Sequence, residues 1–192
     1  MAIRPATRAD ATHLACLVDI AGEGFAAHVW SGMAAEGQSA FEVGRSRALR
    51  DTGSFSWRNA HVAMHGGEVA GVLIGYRIDD PPDVSGLDAA PPPFRPLIAL
   101  EALAPGHWYV NVLAVYAEHR GAGIGQALLA RAEEIAAGEG APGMAIIVAS
   151  ANEGATRLYR RAGYVETARR PLVPFPGYRR QGDWVLMVKA RR

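Results

Sequence analysis

The residues with the clearest chemical potential form one short run, Arg120-Gly121-Ala122-Gly123-Ile124-Gly125, held between an apolar segment and an amphipathic one. Trp108 to Val115 is apolar and rich in β-forming side chains, which reads as a central strand buried on both faces. After the glycines, Ile124, Leu128, Ile135, Ala127, Ala132 and Ala136 share one side of a helix, with Arg131, Glu133 and Glu134 mostly on the other. The first amides of a helix have no partner within it and lie at the positive end of its dipole, so such a junction binds anions without net positive charge. Glycine also lets the main chain approach an oxyanion closely and adopt the dihedrals such a loop needs. The expected chemistry is recognition of a phosphate or pyrophosphate. Two common phosphate loops do not fit. A dinucleotide fingerprint needs glycine where Gln126 stands, and the nucleoside-triphosphate loop needs a Gly-Lys-Ser/Thr run that is absent here.

The pattern that remains is Arg-x-x-Gly-x-Gly on Arg120, Gly123 and Gly125, preceded by Leu113-Ala114-Val115 and followed by Leu128-Leu129. It resembles the pyrophosphate loop of the GNAT superfamily of acyl-CoA-dependent N-acyltransferases. Taken alone, the loop is also compatible with a ligand-free strand-to-helix turn. A second segment, Asn152-Glu153-Gly154-Ala155-Thr156-Arg157-Leu158-Tyr159-Arg160-Arg161-Ala162-Gly163-Tyr164, is similar to that superfamily's Asn-x-x-Ala-x-x-Leu-Tyr run and its closing Gly-Phe/Tyr. It also falls where the superfamily places it, after the next strand. The two motifs span Trp108 to Tyr164, whereas the first hundred residues match loosely, through strand-helix order and the Ile3-Arg4-Pro5-Ala6 opening. One departure is Ala117, where the superfamily often has proline; the position shapes a turn and donates nothing to phosphate.

The resemblance implies an acetyl-CoA site with no metal. Its pyrophosphate would be bound by the loop Arg120, Gly121, Ala122, Gly123, Ile124, Gly125 and Gln126, with main-chain amides given from about Gly121 to Gln126. The pantetheine arm would pair like an added strand with Leu113, Ala114 and Val115, where two central strands splay apart. An amide near Leu113 would meet the thioester oxygen as negative charge develops there. Tyr159 is implied as general acid toward the leaving thiolate; with a phenol pKa of about 10 against about 8.5 for a thiol, its work would be mainly a hydrogen bond. Periodicity alone makes Tyr159 a core residue, because it shares a stripe with Ala155, Leu158 and Ala162. Asn152 is either a pantetheine contact or the N-cap of the short helix. The general base stays unassigned: Tyr109 and Asn111 stand in the expected neighbourhood, and Asn111 could orient the amine or a water. His107, Glu101 and His28 qualify only if the chain folds them over the cleft, and His119 reads as solvated.

These groups need a scaffold. Ala2 to Arg4 reads as a strand, Thr7 with Asp10 as a capping box, and Leu14, Leu17 and Val18 as a helical stripe to about Ala21. Gly22 to Gly37 reads as a loop or broken helix, and Phe41 to Arg50 as a second helix. His61 to Met64 and Glu68 to Ile78 form a hairpin around Gly66-Gly67. Asp79 to Gly106 contains seven prolines (Pro81, Pro82, Pro91, Pro92, Pro93, Pro96 and Pro105), so it reads as an insertion with at most a short helical turn near Leu97 to Leu103. Met144 to Ala149, Tyr164 to Ala168 and Asp183 to Lys189 complete the strands, with a helix ending at Gly163 before the last two. The fold class expected is α/β with a mixed, mostly antiparallel central sheet and helices on both faces, in one domain over residues 1–192.

Composition narrows the partners. The 192 residues carry 20 basic and 19 acidic side chains, a formal charge of +1, which supplies no global field for nucleic acid or an anionic membrane. Cys16 is the sole cysteine, so neither an internal disulfide nor a cysteine-based zinc site is available, and it reads as a small core residue. His61-x-x-x-His65 lacks the glutamate of a zinc protease, and no Gly-x-Ser-x-Gly elbow occurs. The first twenty residues lack the apolar core of a signal peptide, and no segment is long and apolar enough to span a bilayer, so a cytoplasmic protein is expected. A single lysine against nineteen arginines reads as the codon bias of a GC-rich bacterium. The arginines Arg157, Arg160, Arg161, Arg169, Arg170, Arg179 and Arg180 read chiefly as solvated faces.

The function expected is transfer of acetyl from acetyl-CoA to a primary amine of a small molecule or peptide, by direct attack in a ternary complex. A catalytically silent acyl-CoA-binding module is the alternative, and a nucleic-acid binder a weaker third. Asp79, Asp80, Asp83, Asp88 and Glu101 favour a cationic acceptor, whereas the basic stretch Arg169 to Arg180 argues for the opposite polarity; the choice stays open at this point. So does the choice between monomer and homodimer.

Overall fold

The structure, a computed structural model, describes residues 1–178 and 181–191. Its elements in chain order are β1 (Ala2–Pro5), α1 (Ala11–Ala21), α2 (Phe25–Ser31), α3 (Ala40–Ala48), β2 (Ala60–His65), β3 (Glu68–Arg77), α4 (Arg95–Glu101), β4 (Trp108–Val115), α5 (Ile124–Gly138), β5 (Gly143–Ala149), α6 (Glu153–Arg161), β6 (Val165–Pro171) and β7 (Asp183–Ala190). The seven strands form a sheet of order β1-β2-β3-β4-β5-β7-β6, a mixed α/β architecture with a mostly antiparallel sheet, as the sequence implies. The stretch from Gly22 to Gly37 contains a helix, α2, that periodicity alone does not define. It begins after Gly24, and the Asp19 carboxylate accepts the Ala27 amide at 2.8 Å, while Phe25 and Trp30 are buried. The turn expected near Leu97 to Leu103 is helix α4, and β6 continues three residues past Ala168, to Pro171.

The chain divides into two compact units. The first comprises residues 1–75, 111–131 and 176–178. Its strands run antiparallel from β1 through β2 to β3, with a register shift between Ala63 and Met64. Leu14, Leu17, Trp30, Val62, Val72 and Ile74 fill its core, joined by Val112 and Ala114 from the C-terminal half of β4. Trp30 stacks on Phe55 with centroids 5.8 Å apart, and Gly44 of α3 is required beside it because a β-carbon there would run into the indole. At the start of α1 the Asp10 carboxylate accepts from the Thr7 amide at 2.7 Å and from both terminal nitrogens of Arg4 at 2.8 and 2.9 Å. The expected capping residue is thereby also the buried half of an ion pair whose Arg4 side chain remains partly exposed.

The second unit takes in residues 76–110, 132–175 and the C-terminal segment. Here β4 runs parallel to β5 over Trp108↔Met144, Tyr109↔Ala145 and Val110↔Ile146, β5 runs antiparallel to β7 from Gly143↔Ala190 to Ala149↔Trp184, and β6 is antiparallel to β7 on the edge. Ile78, Leu100, Ala104, Tyr109, Ala145 and Leu186 form the core. The proline-rich segment leaves and re-enters as neighbouring chains: the Ile78 amide donates to His107 O at 2.9 Å and the Gly106 amide to Ile78 O at 3.1 Å.

Candidate functional site

In the first unit, the turn between β4 and α5 has the geometry its sequence suggests. Gly121 and Gly123 sit at φ +82° and +77°, a region that costs an L side chain about 1–2 kcal/mol. A β-carbon at either would meet nothing within 4 Å, so the loop borders open space at both positions. The Ala127 amide donates to Gly123 O at 3.0 Å and closes the first turn of α5. Among the described residues the amides of Gly121, Ala122, Gly123, Ile124, Gly125 and Gln126 donate to no protein acceptor. They are therefore available to an external anion, reinforced by the dipole of a 15-residue helix. Arg120 is exposed and its Nε donates to Val115 O at 3.3 Å, which fixes its stem at the strand end.

The strand that delivers the chain into this loop is buried on both faces only from Trp108 to Val110; from Asn111 onward it alternates, which corrects the expectation of two-sided burial along its whole length. Val112 and Ala114 are buried in the core of the first unit, while Asn111, Leu113 and Val115 face the other side and stay partly accessible. The register of β4 with β5 covers the three pairs from Trp108 to Val110, and both strands extend beyond it. Gly71 of β3 is a residue that sequence reasoning missed. A β-carbon there would stand 2.7 Å from Ala114 O and 3.4 Å from Ile124 Cγ2, so glycine is what lets β3 lie this close to both sides of the loop.

In the second unit, α6 carries Asn152 and Tyr159. Asn152 Oδ1 accepts the Ala155 amide at 3.1 Å and so caps the helix, which leaves its amide nitrogen and one carbonyl lone pair for other partners. At the other end, the Tyr164 amide donates to Tyr159 O and the Gly163 amide to Arg160 O, both at 3.0 Å, a glycine-dependent stop that turns Tyr164 inward. Tyr164 is 2 % exposed and packs against Tyr159 at a ring distance of 6.0 Å. Tyr159 itself is 5 % exposed, and its hydroxyl has no hydrogen-bond partner among the described residues. Burial holds its pKa well above the ordinary phenol value. It therefore stays protonated across the neutral pH range and can act as a hydrogen-bond donor.

The same unit contains a cavity of about 420 Å³ between the end of β3 and the proline-rich segment, lined in part by Tyr76, Asp79, Asp83 and Glu101. The Tyr76 hydroxyl donates to Glu101 Oε1 at 2.9 Å. Burial raises the Glu101 pKa, opposed by that hydrogen bond. Tyr76 meets Tyr109 edge-on, with centroids 5.6 Å apart, and Tyr109 lies within electrostatic reach of both Glu101 and Tyr159. Tyr76 and Glu101 lie 25 residues apart, and no sequence spacing signals their pairing.

Other residues singled out in the sequence find ordinary roles. His107 Nδ1 lies 3.1 Å from Pro105 O, and His119 packs edge-on against His65. His61 has its pKa lowered by burial and then by Arg131, and Cys16 is half-buried with its thiol pushed up by burial and Asp19. Arg157 pairs with Glu153 at 3.0 Å, and Arg169 with Glu166 and Asp183 at 2.6 and 3.2 Å. Arg179 and Arg180 lie outside the described residues. Among the described residues, no His, Cys, Asp and Glu group is arranged to hold a metal ion, and no helix is long and apolar enough to cross a membrane.

Comparison with known proteins places this geometry in context. No curated protein matches the chain. Its fold is similar to a crystal structure of an acetyltransferase at 23% identity and TM-score 0.68, covering 99% of each chain. It is similar too to ribosomal-protein-alanine N-acetyltransferase from Brucella melitensis, at 23% identity and TM-score 0.66 over 100% of both chains. A third structure, yncA from Salmonella typhimurium with its cofactor acetyl-CoA, gives 22% identity and TM-score 0.59, covering 99% of this chain and 93% of that one. At these identities the likeness speaks for the fold. Residues 30–164, well over half of the sequence and spanning both motifs, match the acetyltransferase (GNAT) family, and the chain belongs to that family.

Proposed function

We propose that this protein is an N-acetyltransferase that moves acetyl from acetyl-CoA to a primary amine, with residues 1–192 acting as one catalytic domain. The observation that carries the reading is the row of unspent amides from Gly121 to Gln126 above open space at two glycines, at the start of a long helix. A diphosphate matches that arrangement in charge and in hydrogen-bonding capacity, and the yncA neighbour was solved with acetyl-CoA. In the reaction, Leu113, Ala114 and Val115 offer a strand edge to the pantetheine amides, and Asn111 orients the amine or a water beside it. Tyr159 holds its hydroxyl toward the departing sulfur and steadies the developing thiolate charge. The amine attacks directly, and the enzyme's main contribution is to hold it against the thioester.

The test is a thiol-release assay with acetyl-CoA over a panel of primary amines, alongside calorimetric binding of CoA. Turnover that falls sharply in Tyr159→Phe with CoA affinity retained supports the reading. Tight CoA binding without turnover on any amine supports the silent binding module instead.

A further inference from the structure

Resting on the N-acetyltransferase reading, we infer that the cavity beneath the 79–106 segment is the acceptor site. It takes a primary amine on an aliphatic chain that bears a second cationic group, and Glu101 receives the amine's proton. The cavity, at about 420 Å³, is within the size range of small-molecule sites. Ile78, Leu87 and Ile98 give it apolar walls suited to a methylene chain, and Asp79, Asp83 and Glu101 give it negative charge. None of these three carboxylates is ion-paired among the described residues. The one guanidinium on the wall, Arg77, is turned to main-chain carbonyls, donating to Gly106 O and Glu139 O at 3.1 Å each. The opposing polarity of the C-terminal basic stretch is reduced because Arg169 is already engaged by Glu166 and Asp183.

Depth separates the three acids. Asp79 and Asp83 are exposed and lie at the mouth, where they suit a distal cation. Glu101 is recessed on α4, oriented by the Tyr76 hydroxyl, and the Tyr76–Tyr109 contact leads from it toward Tyr159. Tyr109 is 5 % exposed, and its hydroxyl has no hydrogen-bond partner among the described residues. A carboxylate so placed pairs with an incoming ammonium, and its raised proton affinity suits it to take one proton. The step balances as follows. An ammonium N–H bond breaks and its proton passes to Glu101. The nitrogen lone pair bonds to the thioester carbonyl carbon as the C–S bond breaks and its electron pair leaves on sulfur. The nitrogen's second proton reaches that sulfur by way of the Tyr159 hydroxyl, and Glu101 returns the first to water.

The test titrates the full chain calorimetrically with spermidine, hexylamine and β-alanine, then measures thiol release from acetyl-CoA with each. Spermidine should bind more tightly than hexylamine, and β-alanine, with its carboxylate, most weakly. Glu101→Gln should weaken both spermidine and hexylamine by about tenfold or more while leaving CoA affinity unchanged. Asp83→Asn, a change at an exposed position where asparagine can still accept the Ser85 amide, should keep the fold, weaken spermidine about two- to fivefold and spare hexylamine. Equal binding of β-alanine, or full amine affinity in Glu101→Gln, overturns the proposal. Amine binding without thiol release overturns the transfer reading and the proton step with it, while supporting the cationic site itself.

Discussion

Gly71→Ala isolates the link between packing and the cofactor loop. The added methyl would lie 2.7 Å from Ala114 O, 3.2 Å from Val115 Cγ2 and 3.4 Å from Ile124 Cγ2. An ordinary carbon–oxygen contact is about 3.3–3.6 Å, so β3 and β4 must part by roughly half an ångström. The obstacle is main chain and cannot rotate away, so overpacking should cost about 1–3 kcal/mol. That is less than the about 5–15 kcal/mol that holds a typical domain together, and the variant should fold. The displacement acts on Ala114 and Ile124, which flank the amides proposed to grip the diphosphate. Since a misplacement of about 1 Å can cost about a hundredfold, half of that should weaken CoA binding by about tenfold. Urea denaturation and calorimetric CoA titration measure the two effects, with Gly44→Ala as the comparison. That change drives a methyl into the Trp30 indole, in the same unit but away from the loop, so it should cost stability and leave CoA affinity intact. The reasoning is refuted if Gly71→Ala loses stability yet binds CoA like the wild type, or if both variants lose affinity alike.

Three further outcomes are expected. Gly123→Val places a branched side chain at φ +77° into open space, so it should cost about 1–2 kcal/mol in a denaturant melt, and its larger effect should be a CoA dissociation constant raised at least about tenfold. Tyr159→Phe should lower kcat by about 10- to 100-fold, the worth of a hydrogen bond to developing charge. Because burial keeps this phenol protonated, the variant's pH–rate profile should have the wild-type shape up to about pH 10, and a profile that loses an alkaline limb would count against the donor role. Asp10 has its pKa lowered from 3.8 to about 2, chiefly by the Arg4 hydrogen bond, with burial opposing. A depressed carboxylate stabilises above its unfolded pKa, so about 2 kcal/mol should be present above pH 4 and fade as pH falls toward 2. Asp10→Asn should flatten that part of the urea-midpoint profile; an unchanged acid slope would show that another group dominates.

The two motifs were readable because each is local. A strand, glycines and a helix start are contiguous in Val112 to Leu128, and Asn152 to Gly163 carries its own cap and stop. The arginines of α6 and β6 were likewise readable as solvated, since Arg157 finds Glu153 one turn away. What the sequence could not show depends on distant segments meeting. Gly71 has meaning only once Ala114 lies against it, and Glu101 only once α4 brings it to Tyr76. In the sequence the stretch holding α2 stays open between a loop and a broken helix because α2 is seven residues long with glycine on either side, so its order comes from burying Phe25 and Trp30 and not from periodicity.

The paired main-chain bonds between Ile78, Gly106 and His107 bring the two ends of the proline-rich stretch side by side where β3 ends and β4 begins. Leu100 and Ala104 of that stretch are built into the core of the second unit, so the part open to exchange is the exposed run ahead of α4. If the proposed acceptor site is right, replacing residues 81–90 while keeping α4 should change which amine binds and leave CoA affinity intact.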